Sequence, residues 1–306
     1  MPPDPTIPDP SITVARKLDR PAQEAVHRLV ADSEAVDQGA ALNEAALLHL
    51  RHPDDRVRHL QATRSGQLIG YAQLEAGGDQ TTGQLLVAPA YRRQGVGTLL
   101  VQRMLTEAVT PLQIWAAGDR PAAQALAART SMQPVRTLLI MTRPLRGDLA
   151  DPVPVPGVQI RTFVPGRDEE AWLAVNAAAF AHHPEQGRMT IDDLRDRMAE
   201  SWFDPNGFFL AVRDDAVVGF HWTKQHPNRL GEVYVLGVDP ARGRGLGKAL
   251  LLTGLRHLEH QGNSVVQLYV EADHARAVGL YQAYGFSTAS RDVMYAQQAE
   301  TAAQEM

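Results

Sequence analysis

The chain of 306 residues contains no cysteine. That absence removes disulfides, thiolate zinc sites and cysteine nucleophiles, and it agrees with a reducing compartment. Long apolar runs are absent too: none approaches the ~18 residues that a membrane span needs. The N-terminus, MPPDPTIPDPS, is proline-rich and acidic where a secretory signal is basic and then apolar. A cytoplasmic protein with no membrane partner is therefore expected. Neither sign of charge dominates, with 30 Lys and Arg against 35 Asp and Glu. The net charge of -5 and the lack of like-charge runs leave a nucleic-acid partner without its electrostatic footprint. What remains is the composition of an ordinary globular protein, 44% hydrophobic and 21% charged, with a length that favours two domains.

Two proline-rich stretches punctuate the chain. Residues 1 to about 10 carry too little apolar surface to fold and are expected to form a loose tail. The second stretch, RPLRGDLADPVPVPG (Arg143 to Gly157), lies between two strand-like apolar runs, and a segment so rich in proline cannot feed a sheet or a helix interior. It marks the expected boundary between domains 11–145 and 156–300.

The two halves carry the same landmarks in the same order. LLVAP (Leu85 to Pro89) leads into AYRRQGVG, and VLGVDP (Val235 to Pro240) leads into ARGRGLG. Arg92 and Arg242, Gly95 and Gly245, and Gly97 and Gly247 are each 150 positions apart. Gly70 and Gly219 are 149 apart, and Asp119 and Asp273 are 154 apart. So small a drift indicates a tandem duplication. In the second half, β-branched and aromatic runs predict strands at 158–163, 208–213, 217–223, 232–238, 265–271 and 290–296. Leucines 246, 250, 251, 255 and 258 predict a helix from Gly245 to His260, and Val278 and Tyr281 sit one turn apart in another. The expected fold class is α/β with a mixed sheet, present twice.

RRQGVG and RGRGLG each follow a strand and open a helix, the context in which backbone N–H groups and the helix dipole hold a phosphate. The spacing is not the dinucleotide fingerprint G-x-G-x-x-G, and there is no Walker loop, so a phosphate ligand other than NAD or ATP is indicated. A strand ending in V-x-P, then R-x-x-G-x-G, a helix, a strand and D-x-x-A-x-x-[LF]-Y-x-x-x-G-F resembles the GNAT family of acetyl-CoA-dependent N-acetyltransferases, in both halves. GFHWTK, GEVYVLGVDP, LYVEADHARAVGLYQAYGF and FAHHPEQG, with the tandem layout, resemble one branch of that family in particular. That branch acetylates the cysteinyl amine of a cysteine–glucosamine–inositol pseudodisaccharide, completing the thiol mycothiol.

The resemblance implies roles for individual positions. Glu232 corresponds to the general base and Tyr281 to the general acid toward the departing thiolate. Leu236, Gly237 and Val238 correspond to the strand edge that meets the pantetheine arm of acetyl-CoA. Arg242, Gly243, Arg244, Gly245, Leu246, Gly247 and Lys248 correspond to the pyrophosphate loop. His274, Ala275, Arg276, Ala277, Val278 and Gly279 line the other side of the coenzyme, with His274 where the family usually has asparagine. In the first half Leu85, Leu86, Val87, Arg93, Gln94, Gly95, Val96, Gly97 and Thr98 occupy the matching coenzyme positions. Glu44, Glu185, Lys224 and Tyr269, with Glu232, match substrate contacts.

The chemistry asks for these residue types. An α-amine is mostly protonated near neutral pH and must lose a proton before it attacks a thioester, so a carboxylate in a partly apolar strand environment is a suitable base. Charge that develops on oxygen and then on sulfur calls for fixed N–H donors and a proton donor. Taken alone, Tyr281 reads as a core aromatic, Lys224 and Glu185 as surface charges, Glu44 as an ordinary helix glutamate and His221 as a satisfied buried histidine. The pair His182 and His183 has no third ligand at a convincing spacing, so no metal is expected. Alignment of the repeats sets Gln84 opposite Glu232 and Ala127 opposite Tyr281, which makes the first half catalytically silent. A monomeric enzyme acting on a small molecule is expected. The other readings are a tandem GNAT acting on another amine, such as an aminoglycoside or polyamine, and a non-catalytic acyl-CoA sensor.

Overall fold

The computed structural model describes residues 9–183, 186–243 and 245–297. The first part of the chain forms β1 (Ser11–Ala15), α1 (Arg20–Asp37), α2 (Glu44–Arg51), β2 (Val57–Arg64), β3 (Gln67–Gly77), β4 (Gln80–Val87), α3 (Val96–Glu107), β5 (Leu112–Ala116), α4 (Pro121–Arg129) and β6 (Met132–Pro144). The second part forms β7 (Gln159–Thr162), α5 (Glu169–Ala179), α6 (Ile191–Met198), β8 (Phe208–Arg213), β9 (Ala216–His226), β10 (Leu230–Val238), α7 (Leu246–His260), β11 (Val265–Glu271), α8 (Ala275–Ala283) and β12 (Ser287–Gln297). The six strands and two helices expected in the second half are all present, with ends moved by a few residues. Of the expected N-terminal tail, residues 1–8 lie outside the described residues.

The chain divides into two compact units, and they do not coincide with the expected halves. One unit is Leu139–Ala289, and the other runs to Leu138 and resumes at Ser290. The boundary thus falls inside β6, upstream of the proline-rich stretch, and the strand expected to close the second half is counted with the first.

In the first unit β1, β2, β3 and β4 are antiparallel neighbours, and β4 pairs in parallel with β5. β12 then lies antiparallel on β5, with Val293 opposite Ala116 and Ala296 opposite Gln113. Its alternation puts Val293 and Tyr295 into the same core as Leu60, Ile69, Leu74, Leu100 and Met104. Polar groups pin the strand as well: Asp119 accepts from the Tyr295 hydroxyl at 2.7 Å and from Arg291 Nη2 at 2.9 Å. The Gly118 amide donates to Asp292 at 2.7 Å. On the other face α1 buries Val26, Leu29, Val30 and Ser33, the three-to-four spacing of one helix stripe. Its start is set by Asp19, whose side chain accepts from the Ala22 amide, a cap worth about 1 kcal/mol.

The second unit repeats the plan: β7, β8, β9 and β10 run antiparallel, β10 pairs in parallel with β11, and β6 lies beside β11. The leucines of α7 at 251, 252, 255 and 258 pack over Val233, Val266 and Leu268. The opposite face is an aromatic slab in which Trp172, Phe208, Phe220 and Trp222 are fully buried and Phe208 stacks on Trp222 at 4.5 Å. The proline-rich stretch is docked on this unit. Leu145 and Leu149 enter the core, the Gly147 amide donates to Glu259 Oε1 at 2.7 Å, and Arg256 Nη2 donates to the Leu149 carbonyl at 2.7 Å. Prolines exclude regular structure there, but leucines spaced four apart still find apolar cover.

Candidate active site

In each unit the parallel strand pair separates partway along. The β10–β11 ladder runs from Leu230 and Val265 to Val233 and Leu268 and ends there, while β10 continues to Val238 paired with β9 alone. A β-bulge between Val233 and Val235 marks the departure. The β4–β5 ladder likewise ends at Gln84 and Trp115, and Leu85, Leu86 and Val87 continue on β3 alone. Leu236, Gly237 and Val238, and Leu85 to Val87 in the first unit, therefore lie on edges past the parallel ladder, where an extended amide-bearing chain can hydrogen-bond.

Both strands lead through a left-handed glycine into a helix. Gly95 (φ 86°) caps α3 and Gly245 (φ 87°) caps α7, a conformation other residues adopt only with strain, and neither helix start has a side-chain cap. The first amides of Val96, Gly97 and Thr98, and of Gly247 and Lys248, are thus left for an anion, aided by the helix dipole, while the Leu246 amide donates to the Gly243 carbonyl at 3.1 Å. A Cβ at Gly247 would meet nothing closer than Leu280 at 3.9 Å, so the loop has room on that side. Strand edge and loop together fit the pantetheine arm and pyrophosphate of coenzyme A.

The side chains of the loops are largely occupied otherwise. Arg242 Nε donates to Asp239 Oδ2 at 2.9 Å, Gly243 is packed against Val238, and Arg244 lies outside the described residues. In the first unit Gln94 accepts from Arg64 Nη1 at 2.8 Å, and Arg93 is exposed. Lys248 Nζ sits 5.8 Å from the centre of the Tyr284 ring. His274 is the N-cap of α8, its Nδ1 accepting from the Ala277 amide at 3.2 Å, a capping place for which asparagine is a favoured residue type. Ala275, Arg276 and Gly279 follow along α8, while Ala277 and Val278 pack against the core around Tyr281.

Across β9, β10 and β11 the register sets Lys224, Glu232 and Gln267 side by side. Glu232 is 6% exposed. Its Oε2 accepts from His226 Nε2 at 2.6 Å and from Gln267 Nε2 at 2.9 Å. The surroundings are therefore more polar than the partly apolar strand environment expected. Lys224 Nζ stands 4.3 Å from the Trp202 ring centre and 5.3 Å from that of Tyr234, a cation held on aromatic faces. Tyr269 lies two residues beyond Gln267 on β11, on the same face, and is 44% exposed. Tyr281 on α8 is buried against Phe286, and burial raises its hydroxyl pKa to about 12, so it carries its proton at neutral pH. Glu44 begins α2 in the first unit, after its cap Asn43. Glu185 lies outside the described residues.

His226 and Gln267 escaped the sequence reading. The signal was alternation: His226 shares a strand face with Lys224, and Gln267 with Tyr269. Register also corrects the alignment of the repeats. Thr82, not Gln84, answers to Glu232, because Thr82 pairs with Glu75 and Gln113 just as Glu232 pairs with Lys224 and Gln267. Glu75 and Lys224 each follow the paired glycines Gly70 and Gly219 by five residues, which fixes the equivalence. Ala127 does hold the place of Tyr281, near the end of α4 as Tyr281 is near the end of α8.

His221 is wholly buried with Nδ1 donating to the Leu250 carbonyl at 2.7 Å, and burial lowers its pKa to about 4. Among the described residues no group of three His, Asp or Glu side chains is placed to hold a metal. His183 Nδ1 accepts instead from the Gln186 amide at 3.0 Å. No helix among the described residues is long and apolar enough to cross a membrane.

Comparison with known proteins agrees with this geometry. The acetyltransferase (GNAT) family model matches twice, at residues 24–131 and 175–286. A mycothiol acetyltransferase of Streptomyces coelicolor is 49% identical over 292 residues, covering 93% of this chain and 94% of that protein. Another, of Thermomonospora curvata, is 51% identical over 263 residues, covering 85% and 88%. Among solved structures, a tandem GNAT protein from the clavulanic acid biosynthesis pathway superposes with a TM-score of 0.71 at 19% identity, covering 94% of this chain and 98% of its own, a likeness of fold. A GCN5-related N-acetyltransferase of Sphaerobacter thermophilus gives 0.66 at 27% identity, covering 93% and 95%. With parted parallel strands and a glycine-capped helix in each unit, and the family match repeated at both, the chain belongs to the GNAT acetyltransferase family as a tandem member.

Proposed function

We propose that this acetyl-CoA-dependent N-acetyltransferase acts on the cysteinyl amine of a cysteine–glucosamine–inositol pseudodisaccharide, the step that completes mycothiol. The reading is supported by relatives named mycothiol acetyltransferase at 45–51% identity over most of the chain. The observation that carries it is the buried Glu232 carboxylate, set between Lys224 and Gln267 one residue before the parallel ladder ends.

Bound acetyl-CoA supplies an activated acetyl thioester. Leu236, Gly237 and Val238 hold its arm through main-chain groups, and the amides of Gly247 and Lys248 hold its pyrophosphate. Glu232 takes the proton that the attacking amine must lose, and the Tyr281 hydroxyl, protonated at neutral pH, donates to the departing sulfur. Lys224, Tyr269 and Glu185 bind the acceptor. The first unit keeps the same strand edge and glycine turn but has Thr82 and Ala127 in the proton-transfer positions, so it binds coenzyme without turning it over. The protein works in the cytoplasm as a monomer.

Release of free thiol from acetyl-CoA, compared between the cysteinyl pseudodisaccharide, an aminoglycoside and a polyamine, tests the acceptor. A preference of at least about 100-fold in kcat/KM for the pseudodisaccharide is expected. Equal rates, or a preference for either other amine, defeat the reading.

A further inference from the structure

Hydrogen bonds to the Glu232 carboxylate, among the described residues, all fall on one oxygen. Oε2 accepts from His226 Nε2 at 2.6 Å and from Gln267 Nε2 at 2.9 Å. The two donors come from opposite neighbours of β10: His226 ends β9, and Gln267 lies directly across the parallel ladder on β11. Glu232 and Gln267 are locked by that ladder, whereas His226 reaches diagonally, since its own partner in the register is Leu230.

A carboxylate that must accept a proton at a defined point gains from being fixed by one oxygen so that the other is presented. Two N–H donors on Oε2 remove the rotation about the last side-chain torsion that would otherwise exchange the oxygens. We infer that His226, with Gln267, is a positioning residue for the base: donation from Nε2 holds Oε2 and leaves Oε1 as the atom that meets the amine. That donation requires the imidazole to carry hydrogen on Nε2. The side chains differ in access. The Glu232 side chain alone is 8% exposed, whereas that of His226 is 26% exposed and lines a cavity of about 680 Å³ with Lys224, Thr223, Gln225 and His257. A small molecule can therefore reach the place that His226 fills.

The inference rests on the reading of Glu232 as the base. His226→Ala should lower kcat on the order of 10- to 100-fold while KM for acetyl-CoA stays within about two-fold, because misplacing a reacting group costs rate and not coenzyme affinity. Added imidazole should restore a substantial part of the loss, and His226→Gln, which keeps an N–H donor of similar reach, should retain more activity than the alanine variant. In the unmodified protein without coenzyme or acceptor, nitrogen-15 NMR of the side chain should show hydrogen on Nε2, with a downfield proton that moves in Glu232→Gln. Parent kcat in His226→Ala overturns the inference, as does an equal loss in the alanine and glutamine variants without imidazole rescue. A bare Nε2 in the NMR spectrum overturns it whether or not any variant folds. Parent rates in Glu232→Gln would instead overturn the base itself, so the two failures are distinguishable.

Discussion

The Tyr295 hydroxyl donates to Asp119 Oδ1 at 2.7 Å, joining residues 176 positions apart in sequence. Asp119 also takes Arg291 and Gln124, and this one carboxylate anchors the last strand of the chain in the first unit. Burial alone would raise its pKa, but the donors Tyr295, Gln124 and Arg291 outweigh it, and the net shift is downward.

Asp119→Ala should therefore destabilise the first unit by about 1–3 kcal/mol, since it leaves Arg291 and Tyr295 without their acceptor. Tyr295→Phe should cost about 1 kcal/mol. A carboxylate with a lowered folded-state pKa contributes stability that is complete above its unfolded pKa, about 3.9, and is lost as pH falls through the folded value. Thermal unfolding of parent and Asp119→Ala should thus differ most near pH 7 and converge well below pH 4. A difference that persists undiminished in strong acid would show that the anchor does not depend on charge.

Glu232→Gln should lower kcat by about two to four decades, the usual worth of general acid–base catalysis, with acetyl-CoA affinity nearly intact. The neutral amide still fits between His226 and Gln267. Turnover at the parent rate from about pH 6 to 9 would remove Glu232 from the mechanism.

Tyr281→Phe keeps the ring against Phe286 and deletes only the hydroxyl, so the melting temperature should hardly change. A thiolate is already a fair leaving group, and a loss on the order of 10- to 100-fold is expected, smaller than for Glu232. An unchanged single-turnover rate would leave Tyr281 as a core residue.

Gly97→Asp and Gly247→Asp test the two coenzyme loops separately. Neither glycine has a positive φ, and the Cβ of residue 247 would have 3.9 Å of clearance while that of 97 would press on the flexible Leu126 at 3.3 Å, so both chains should fold. The added carboxylate opposes a pyrophosphate at the helix start. Gly247→Asp should abolish activity. Gly97→Asp should remove one of two coenzyme equivalents seen by calorimetry and leave kcat within about three-fold. Loss of acetyl transfer in a folded Gly97→Asp protein would reverse the assignment of the two units.

Much of this site was legible in sequence. The glycine offsets exposed the duplication, the β-branched runs located the strands, and the strings around Glu232 and Tyr281 supplied the family. His226 and Gln267 were not found, because alternation tells which face of a strand a residue occupies but not which residues of other strands lie beside it.

What the sequence by itself determined is local: which segments become strands or helices, where glycine must turn the chain left-handed at Gly95 and Gly245, and which residue types are available for proton transfer. Those properties follow from backbone sterics and periodicity over a few residues. The tertiary structure alone decided that the last strand pairs with β5, that the boundary falls within β6, that Leu145 and Leu149 bring a proline-rich stretch into a core, and that Thr82 rather than Gln84 stands where Glu232 does. Each depends on pairing between distant segments, where a one-residue bulge shifts every later contact and any apolar edge of the right period is a candidate partner.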